Sequence, residues 1–191
     1  MMNVKSTVGL LVSVLGMSFF APSASAAPAQ ELHLRYNMHC YVRGRAPRTV
    51  NAASYANYLA GGGHFVVPFG TKVTVKKSRR VYVFTIVETG KKVSFEFHTR
   101  NMGMKWDEYL KLITSSEAVS YPDLPAKDLE GIKAGKALVG MTKKGVKIAL
   151  GYPAVHRTPS LDDKTWTYWR NRFGTLTVTF DDKGLVVSTN P

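Results

Sequence analysis

The chain has almost no cysteine, since Cys40 is the only one among 191 residues. A single thiol excludes a disulfide within the chain, so Cys40 is either buried or paired with another chain. It is not placed for lipidation, because Tyr36-Asn37-Met38-His39 precedes it instead of a run of small apolar residues. We therefore do not expect a lipoprotein.

Acidic side chains are also scarce. The chain has 13 of them against 26 lysines and arginines, which gives a net charge of +13. The excess is uneven, because residues 27–115 carry 14 basic and 5 acidic residues, whereas residues 116–191 carry 11 and 8. Such a surface favours anionic partners, such as phospholipid head groups, lipopolysaccharide or acidic polymers. The competing interpretation is that the basic residues only keep the protein soluble.

Motifs of the common enzyme classes are missing. There is no G-x-S-x-G sequence, no glycine-rich phosphate loop and no cluster of carboxylates. We therefore expect no catalytic residue, no metal and no cofactor. The residues that could ligate a soft metal have no standard spacing; they are His33, Met38, His39, Cys40, Met102 and Met104.

A long apolar run occurs only at the N-terminus. Lys5 is followed by the uncharged run 6–21, then by Pro22 and the small residues Ala24-Ser25-Ala26, which is the pattern of a cleavable signal peptide. The run is shorter than the roughly 20 residues that a membrane span needs. We therefore expect cleavage after residue 26, export to the periplasm and no transmembrane span afterwards. Nucleic acid is then a poor partner.

Residues 27–115 are predicted to form a basic, β-rich unit that resembles a small antiparallel meander or barrel. Alternation of apolar and polar residues predicts strands over 71–77, 79–87 and 93–97, with a hairpin turn at 88–91.

Two helices are also predicted in this unit. One is a short helix over 52–59 inside an otherwise irregular stretch, 27–63. The other is an amphipathic helix over 106–113, with Trp106 and Tyr109 on its apolar side.

Residues 116–127 are predicted to be a linker, and residues 128–191 a second unit in which two helices precede a three-stranded meander. Thr142 is a good N-cap residue and Gly151 a good helix terminator. The chain as a whole is therefore assigned to the α+β class. The predicted elements of the second unit are helices over 129–134 and 143–150, and strands near 165–170, 175–180 and 185–188.

The second unit resembles a known family. Its motifs, in chain order, are Gly140-Met141-Thr142-Lys143, Val146, Ala149-Leu150-Gly151-Tyr152-Pro153, Trp166-Thr167-Tyr168, Leu176-Thr177-Val178-Thr179-Phe180 and Gly184-Leu185-Val186. Their order and spacing resemble the BamE (SmpA/OmlA) domain. The resemblance implies a helix–helix–three-strand fold and a non-enzymatic role in outer-membrane assembly or envelope integrity, with protein partners and anionic phospholipid as contacts.

Exposed aromatic and basic residues in the second unit are the first candidate binding site. Strand alternation places Trp169 on the face opposite Trp166 and Tyr168. An aromatic ring flanked by arginines can bind a head group, a glycan or a peptide, but Trp169 can equally cover the first unit. The candidate residues are His156, Arg157, Trp169, Arg170 and Arg172.

A second candidate site is a basic hairpin region in the first unit. Lysine on strand edges often serves only to prevent edge-to-edge pairing, so an anion-binding role competes with a protective one. The residues are Lys72, Lys76, Lys77, Arg79, Arg80, Lys91 and Lys92, of which Lys76, Lys77, Arg79 and Arg80 are the main candidates.

The leading hypothesis is a non-catalytic periplasmic protein, held peripherally at the outer membrane, with envelope proteins or anionic lipid as partners. The alternative is a cell-wall or glycan-binding module, because the run Gly70–Val75 after a Pro-x-Gly turn resembles bacterial Src-homology-like barrels. A Cys-dependent enzyme comes third, since His39 and Cys40 are adjacent on a strand and would face opposite sides.

Overall fold

The computed structural model describes residues 30–59, 63–78 and 81–190. Within these ranges the protein is mixed α+β, with a curled eight-stranded sheet, a separate three-stranded sheet and four helices. The predicted α+β class is therefore confirmed at this level. The signal peptide, and the candidate site residues Arg79 and Arg80, lie outside the described residues.

The first sheet has a non-sequential strand order, β4-β2-β3-β7-β6-β5-β1-β8. All its pairs are antiparallel except β3 with β7, which is parallel. The predicted β5–β6–β7 meander is present at its centre. The strands are β1 (Glu31–Leu34), β2 (Met38–Arg45), β3 (Arg48–Ser54), β4 (Phe65–Val67), β5 (Lys72–Ser78), β6 (Val81–Ile86), β7 (Lys92–Glu96) and β8 (Thr114–Ser115).

The prediction of an irregular segment with a helix over 52–59 is wrong. Three strands, β1 to β3, occupy this part of the chain, and residues 55–59 form a turn and irregular backbone. The small residues Ala52 and Ala53 pair in parallel with Ser94 and Phe95 of β7, and Ala53 is fully buried. This long-range pairing and burial outweigh the helical preference of alanine.

A hydrophobic core fills the concave side of the first sheet. Helix α1 (Thr99–Met102) and helix α2 (Trp106–Ile113) cover it, and the prediction for α2 is confirmed. Trp106 stacks on Tyr82 of β6 with ring centroids 3.5 Å apart, and Tyr109 is fully buried.

The second unit has the predicted order of two helices followed by a meander. Thr142 caps the second helix by accepting a hydrogen bond from the Gly145 amide, and Gly151 ends that helix, as predicted. Trp166, Tyr168 and Val178 fill its core. The elements are α3 (Ala126–Ala134), α4 (Lys143–Leu150), β9 (Thr165–Trp169), β10 (Thr175–Phe180) and β11 (Val186–Asn190).

The two units are joined by polar contacts at the C-terminal ends of α3 and α4. The Asn37 amide donates to the Ile148 carbonyl and its side chain donates to the Ile132 carbonyl, both at 2.8 Å. His39 Nε2 donates to the Ala149 carbonyl at 2.8 Å. The last carbonyls of a helix have no partner within it. The first unit therefore contacts carbonyl groups at the ends of both helices of the second unit, and these contacts hold the two units together.

Candidate functional site

Five exposed cations lie on the convex face of the first sheet. Arg43 and Arg45 of β2 lie on the same side as Arg48 of β3, because antiparallel partners share a face. Lys92 of β7 lies on this side as well, because β7 pairs with β3. Lys76 of β5 does so too, because β5 pairs with β6 and β6 pairs with β7. All five side chains are exposed. We call this set, Arg43, Arg45, Arg48, Lys76 and Lys92, the basic face.

The β2–β3 hairpin brings like charges together at its tip. Arg45 and Arg48 are direct cross-strand partners beside the turn. Directly opposed like charges destabilise a strand pair. Gly44 permits the hairpin to close, because it has a φ of +103° and a Cβ there would lie 2.3 Å from the Arg48 carbonyl oxygen. The hairpin therefore holds a repulsive pair that an anion would relieve.

Apolar side chains lie among these cations. Val50 pairs with Arg43 and is 48% exposed. Val50, Val83 and Lys92 line a shallow depression of about 530 Å³. The basic face therefore offers both positive charge and exposed aliphatic surface.

The five cations of the basic face form no salt bridge among the described residues, although Glu31 of β1 and Glu96 of β7 lie on the same side of the sheet. The sequence has no acidic residue between Glu31 and Glu88. The salt bridges among the described residues join Lys72 to Glu31, His98 to Glu96, Lys127 to Glu130 and Lys164 to Asp182. None of the five cations has an acidic partner within 4.0 Å in the described part of the chain.

The described lysines of the predicted hairpin cluster are divided between the two faces of the sheet. Lys76 belongs to the basic face, whereas Lys77 points to the other side by strand alternation. Lys72 is paired with Glu31 at 3.1 Å. Lys91 lies over the Phe65 ring, with Nζ 3.7 Å from the ring centroid. Strand alternation and pairing place Lys72, Lys76 and Lys92 on one side of the sheet and Lys77 and Lys91 on the other.

The predicted aromatic site around Trp169 is a packed junction. Trp169 is half-buried and packs against the core of the first unit, and the Leu59 amide donates to its carbonyl. The His156 ring lies 6.2 Å from the Trp169 ring, and the Arg157 guanidinium carbon lies 5.2 Å from it. The indole is therefore used between the two units, as the competing interpretation expected, while His156 and Arg157 stay exposed.

Arg172 lies in the turn between β9 and β10. Its guanidinium carbon is 5.0 Å from the ring centroid of Phe173, which is 86% exposed. Burial raises the pKa of Tyr58, and Arg172 is near enough to oppose that shift. The Tyr58 ring in turn contacts Tyr41 at 5.8 Å. Since Tyr41 precedes Arg43 by two residues on the same face, the β9–β10 turn borders the basic face.

Arg170 is separated from both of these groups. It lines a groove between the two units, together with His64 and Lys136. The five residues predicted as one site in the second unit are therefore divided among three places: the Trp169 junction, the β9–β10 turn and this groove.

Cys40 is placed as a core residue. It is 0% exposed, and burial raises the pKa of its thiol to about 12. Its Sγ contacts the Met38 carbonyl, whereas the His39 ring points to the other side of β2, toward α4. Reactive cysteines need an accessible thiolate and a nearby base. The geometry does not assemble such a pair from Cys40 and His39.

Among the described residues, no three His, Cys, Asp or Glu side chains are close enough together to hold a metal ion. In the same part of the chain, no helix has the length and apolarity needed to cross a membrane.

Sequence reasoning missed Arg43, Arg45, Arg48 and Phe173 as functional candidates. The three arginines were assigned to an irregular segment, so their shared face was not recognised. The acid-free run from Leu32 to Val87 is a signal that could have drawn attention to them.

Comparison of the chain with protein-family models, with curated proteins and with solved structures finds no match. Function is therefore inferred from the charges and contacts of this chain itself.

Proposed function

We propose that this protein is a non-catalytic, exported envelope protein that docks peripherally on an anionic membrane surface through its basic face. The observation that carries the proposal is the set of five exposed cations around Val50, none of which forms a salt bridge in the described part of the chain. Phe173, at the bordering β9–β10 turn, supplies an aromatic side chain that can enter the head-group region. Docking on the periplasmic side of the outer membrane needs no lipid anchor.

The expected attraction between the basic face and an anionic leaflet is suited to reversible binding. A lysine or arginine near an anionic leaflet contributes about 1 kcal/mol, and the attraction decays within a Debye length of about 8–10 Å. Arg45 and Arg48 gain more than an isolated arginine, because an anion between them also removes their mutual repulsion. Five cations on one face therefore suffice for binding that depends strongly on salt.

In this proposal the second unit is the adaptor. Its two helices and three-stranded meander have the order expected of a BamE-like domain, and its sequence motif resembles that family. Docking through the first unit and the β9–β10 turn leaves the exposed Leu129 and Val139 of the second unit free for a protein partner. Such a partner would be an envelope protein, for which barrel-assembly components are the first candidates.

Vesicle flotation tests the docking. The purified protein is expected to float with phosphatidylcholine vesicles that contain phosphatidylglycerol, and not with phosphatidylcholine alone. The triple substitution Arg43→Gln, Arg45→Gln and Arg48→Gln should lower the partition coefficient by about 100-fold, since about 3 kcal/mol of attraction is removed. High salt should have a similar effect on the unsubstituted protein.

The matched control removes three exposed lysines elsewhere, Lys111→Gln, Lys133→Gln and Lys183→Gln, and should retain most of the binding. If both triple variants bind equally well, the basic face is not the contact. Absence of flotation combined with sedimentation on purified cell wall would favour the glycan-binding alternative instead.

A further inference from the structure

A groove of about 350 Å³ lies between the two units, away from the basic face. This volume falls within the roughly 300–1,000 Å³ of small-molecule sites. Its walls come from residues far apart in sequence: the segment after β3, the C-terminal end of α3, the last residue of α4 and the edge of the second sheet. The lining residues are Leu59, His64, Ala134, Gly135, Lys136, Ala137, Leu150, Arg170, Leu176 and Thr189.

The groove walls carry both aliphatic and positively charged side chains. Leu59 and Leu176 provide a partly exposed aliphatic surface, whereas Lys136 and Arg170 provide two positive charges. None of the lining residues is acidic, and within the described residues neither cation has a carboxylate within salt-bridge distance. A groove with aliphatic side chains and two cations that form no salt bridge among the described residues fits a ligand that carries a negative charge on an aliphatic body.

A histidine pair, in which His39 is buried and His64 is partly exposed, borders the groove. His39 Nε2 faces the Ala149 carbonyl and must donate to it, so His39 Nδ1 is left as an acceptor. His64 Nε2, 3.0 Å away, is then the donor to His39, which leaves His64 Nδ1 without a role in the pair. Gly135 keeps the backbone close to this pair, because a Cβ there would lie 3.4 Å from His39 Cε1. The His64 ring is therefore held in one orientation on the groove wall.

We propose that this groove binds a single-chain anionic amphiphile, a carboxylate or phosphate monoester on an aliphatic chain. The head group is held by Lys136 and Arg170, and the chain lies against Leu59 and Leu176. This inference goes beyond membrane docking through the basic face and does not depend on it. The ligand enters as a free molecule, without a bilayer.

Isothermal titration with decanoate and with decyl phosphate tests the proposal in the absence of vesicles. Saturable one-to-one binding of at least one of them is expected; which one binds identifies the head group. Inorganic phosphate and decanol, which supply only the head or only the chain, should bind far more weakly. Lys136→Ala and Arg170→Ala should each weaken binding by about tenfold, because each removes a charge-assisted contact.

Two neighbouring substitutions serve as controls. Lys133→Ala and Arg172→Ala remove equal charges that do not line the groove, and they should leave the affinity unchanged. Ala134→Trp adds a ring at an exposed lining position and should block binding while preserving the thermal unfolding temperature. No saturable binding of either amphiphile, or equal losses in Arg170→Ala and Arg172→Ala, would overturn the proposal. Loss of flotation in the basic-face variant would have no bearing on it.

Discussion

Replacing Asp128 with alanine is expected to lower the free energy of unfolding by about 3 kcal/mol and the melting temperature by about 6–12 °C. Asp128 is 0% exposed, in the first turn of α3. Its Oδ1 accepts a hydrogen bond from the Thr142 amide at 2.8 Å, and its Oδ2 accepts one from the Thr142 hydroxyl at 2.5 Å. The same hydroxyl caps α4 by accepting from the Gly145 amide at 3.0 Å.

This carboxylate stabilises the start of α4 in two ways. It satisfies a backbone amide that the helix itself cannot, and it places negative charge at the positive end of the helix dipole. It also fills the space left by Gly145, where a Cβ would lie 2.2 Å from Asp128 Cγ. Alanine at position 128 therefore leaves both an unpaired, part-buried amide at Thr142 and a cavity.

Urea or thermal unfolding measures the effect, and Asp123→Ala is the matched control. Asp123 is exposed and lies in the preceding loop. Its removal should change the unfolding free energy by less than about 0.5 kcal/mol. A similar small change for Asp128→Ala would show that the Asp128–Thr142 contacts do not stabilise α4.

Acidification is expected to destabilise the protein by about 3 kcal/mol between pH 6.5 and pH 4, through His39. Burial is the main cause that lowers the pKa of His39 from 6.5 to about 4, and the nearby His64 adds to it. The unfolded chain therefore takes up a proton near pH 6.5, whereas the folded protein resists it until about pH 4. The stabilising contribution of neutral, buried His39 is complete above pH 6.5. It is lost as the pH falls from 6.5 to about 4, and it remains absent below pH 4. Burial lowers the pKa of His64 as well, in the same direction.

The substitution His39→Gln isolates this effect. A glutamine amide can donate to the Ala149 carbonyl and its oxygen can accept from His64, but it does not titrate. Urea unfolding at pH 7, 6 and 5 should therefore show a much flatter pH dependence for this variant. His98→Gln, at an exposed histidine, should keep the dependence of the unsubstituted protein. Equal slopes for His39→Gln and the unsubstituted protein would contradict the assignment.

The second unit could be predicted well from sequence because its signals are local. Thr142 and Gly151 each act within a few residues of themselves, and each is found where it was expected. The first unit was harder. β1 pairs with β5, and β3 pairs in parallel with β7, so their partners are separated by tens of residues that a local pattern does not connect.

The parts of the candidate site that could be predicted from sequence are likewise those that depend on local contacts. Alternation along β5 could have separated Lys76 from Lys77, since it is a property of one strand. The meeting of Arg43, Arg48 and Lys92 could not be predicted in this way, because it depends on the β3–β7 pairing. The long run without any acidic residue was the feature of the sequence that indicated a basic surface in this unit.

Hydrogen exchange of the purified protein, with and without anionic vesicles, tests membrane docking most directly. With vesicles that contain phosphatidylglycerol, amide exchange should slow in residues 43–50 and around Phe173, and should be unchanged in α2, which lies on the concave side of the first sheet. Neutral vesicles should slow neither segment. Protection confined to α2, or equal protection by neutral and anionic vesicles, would contradict docking through the basic face.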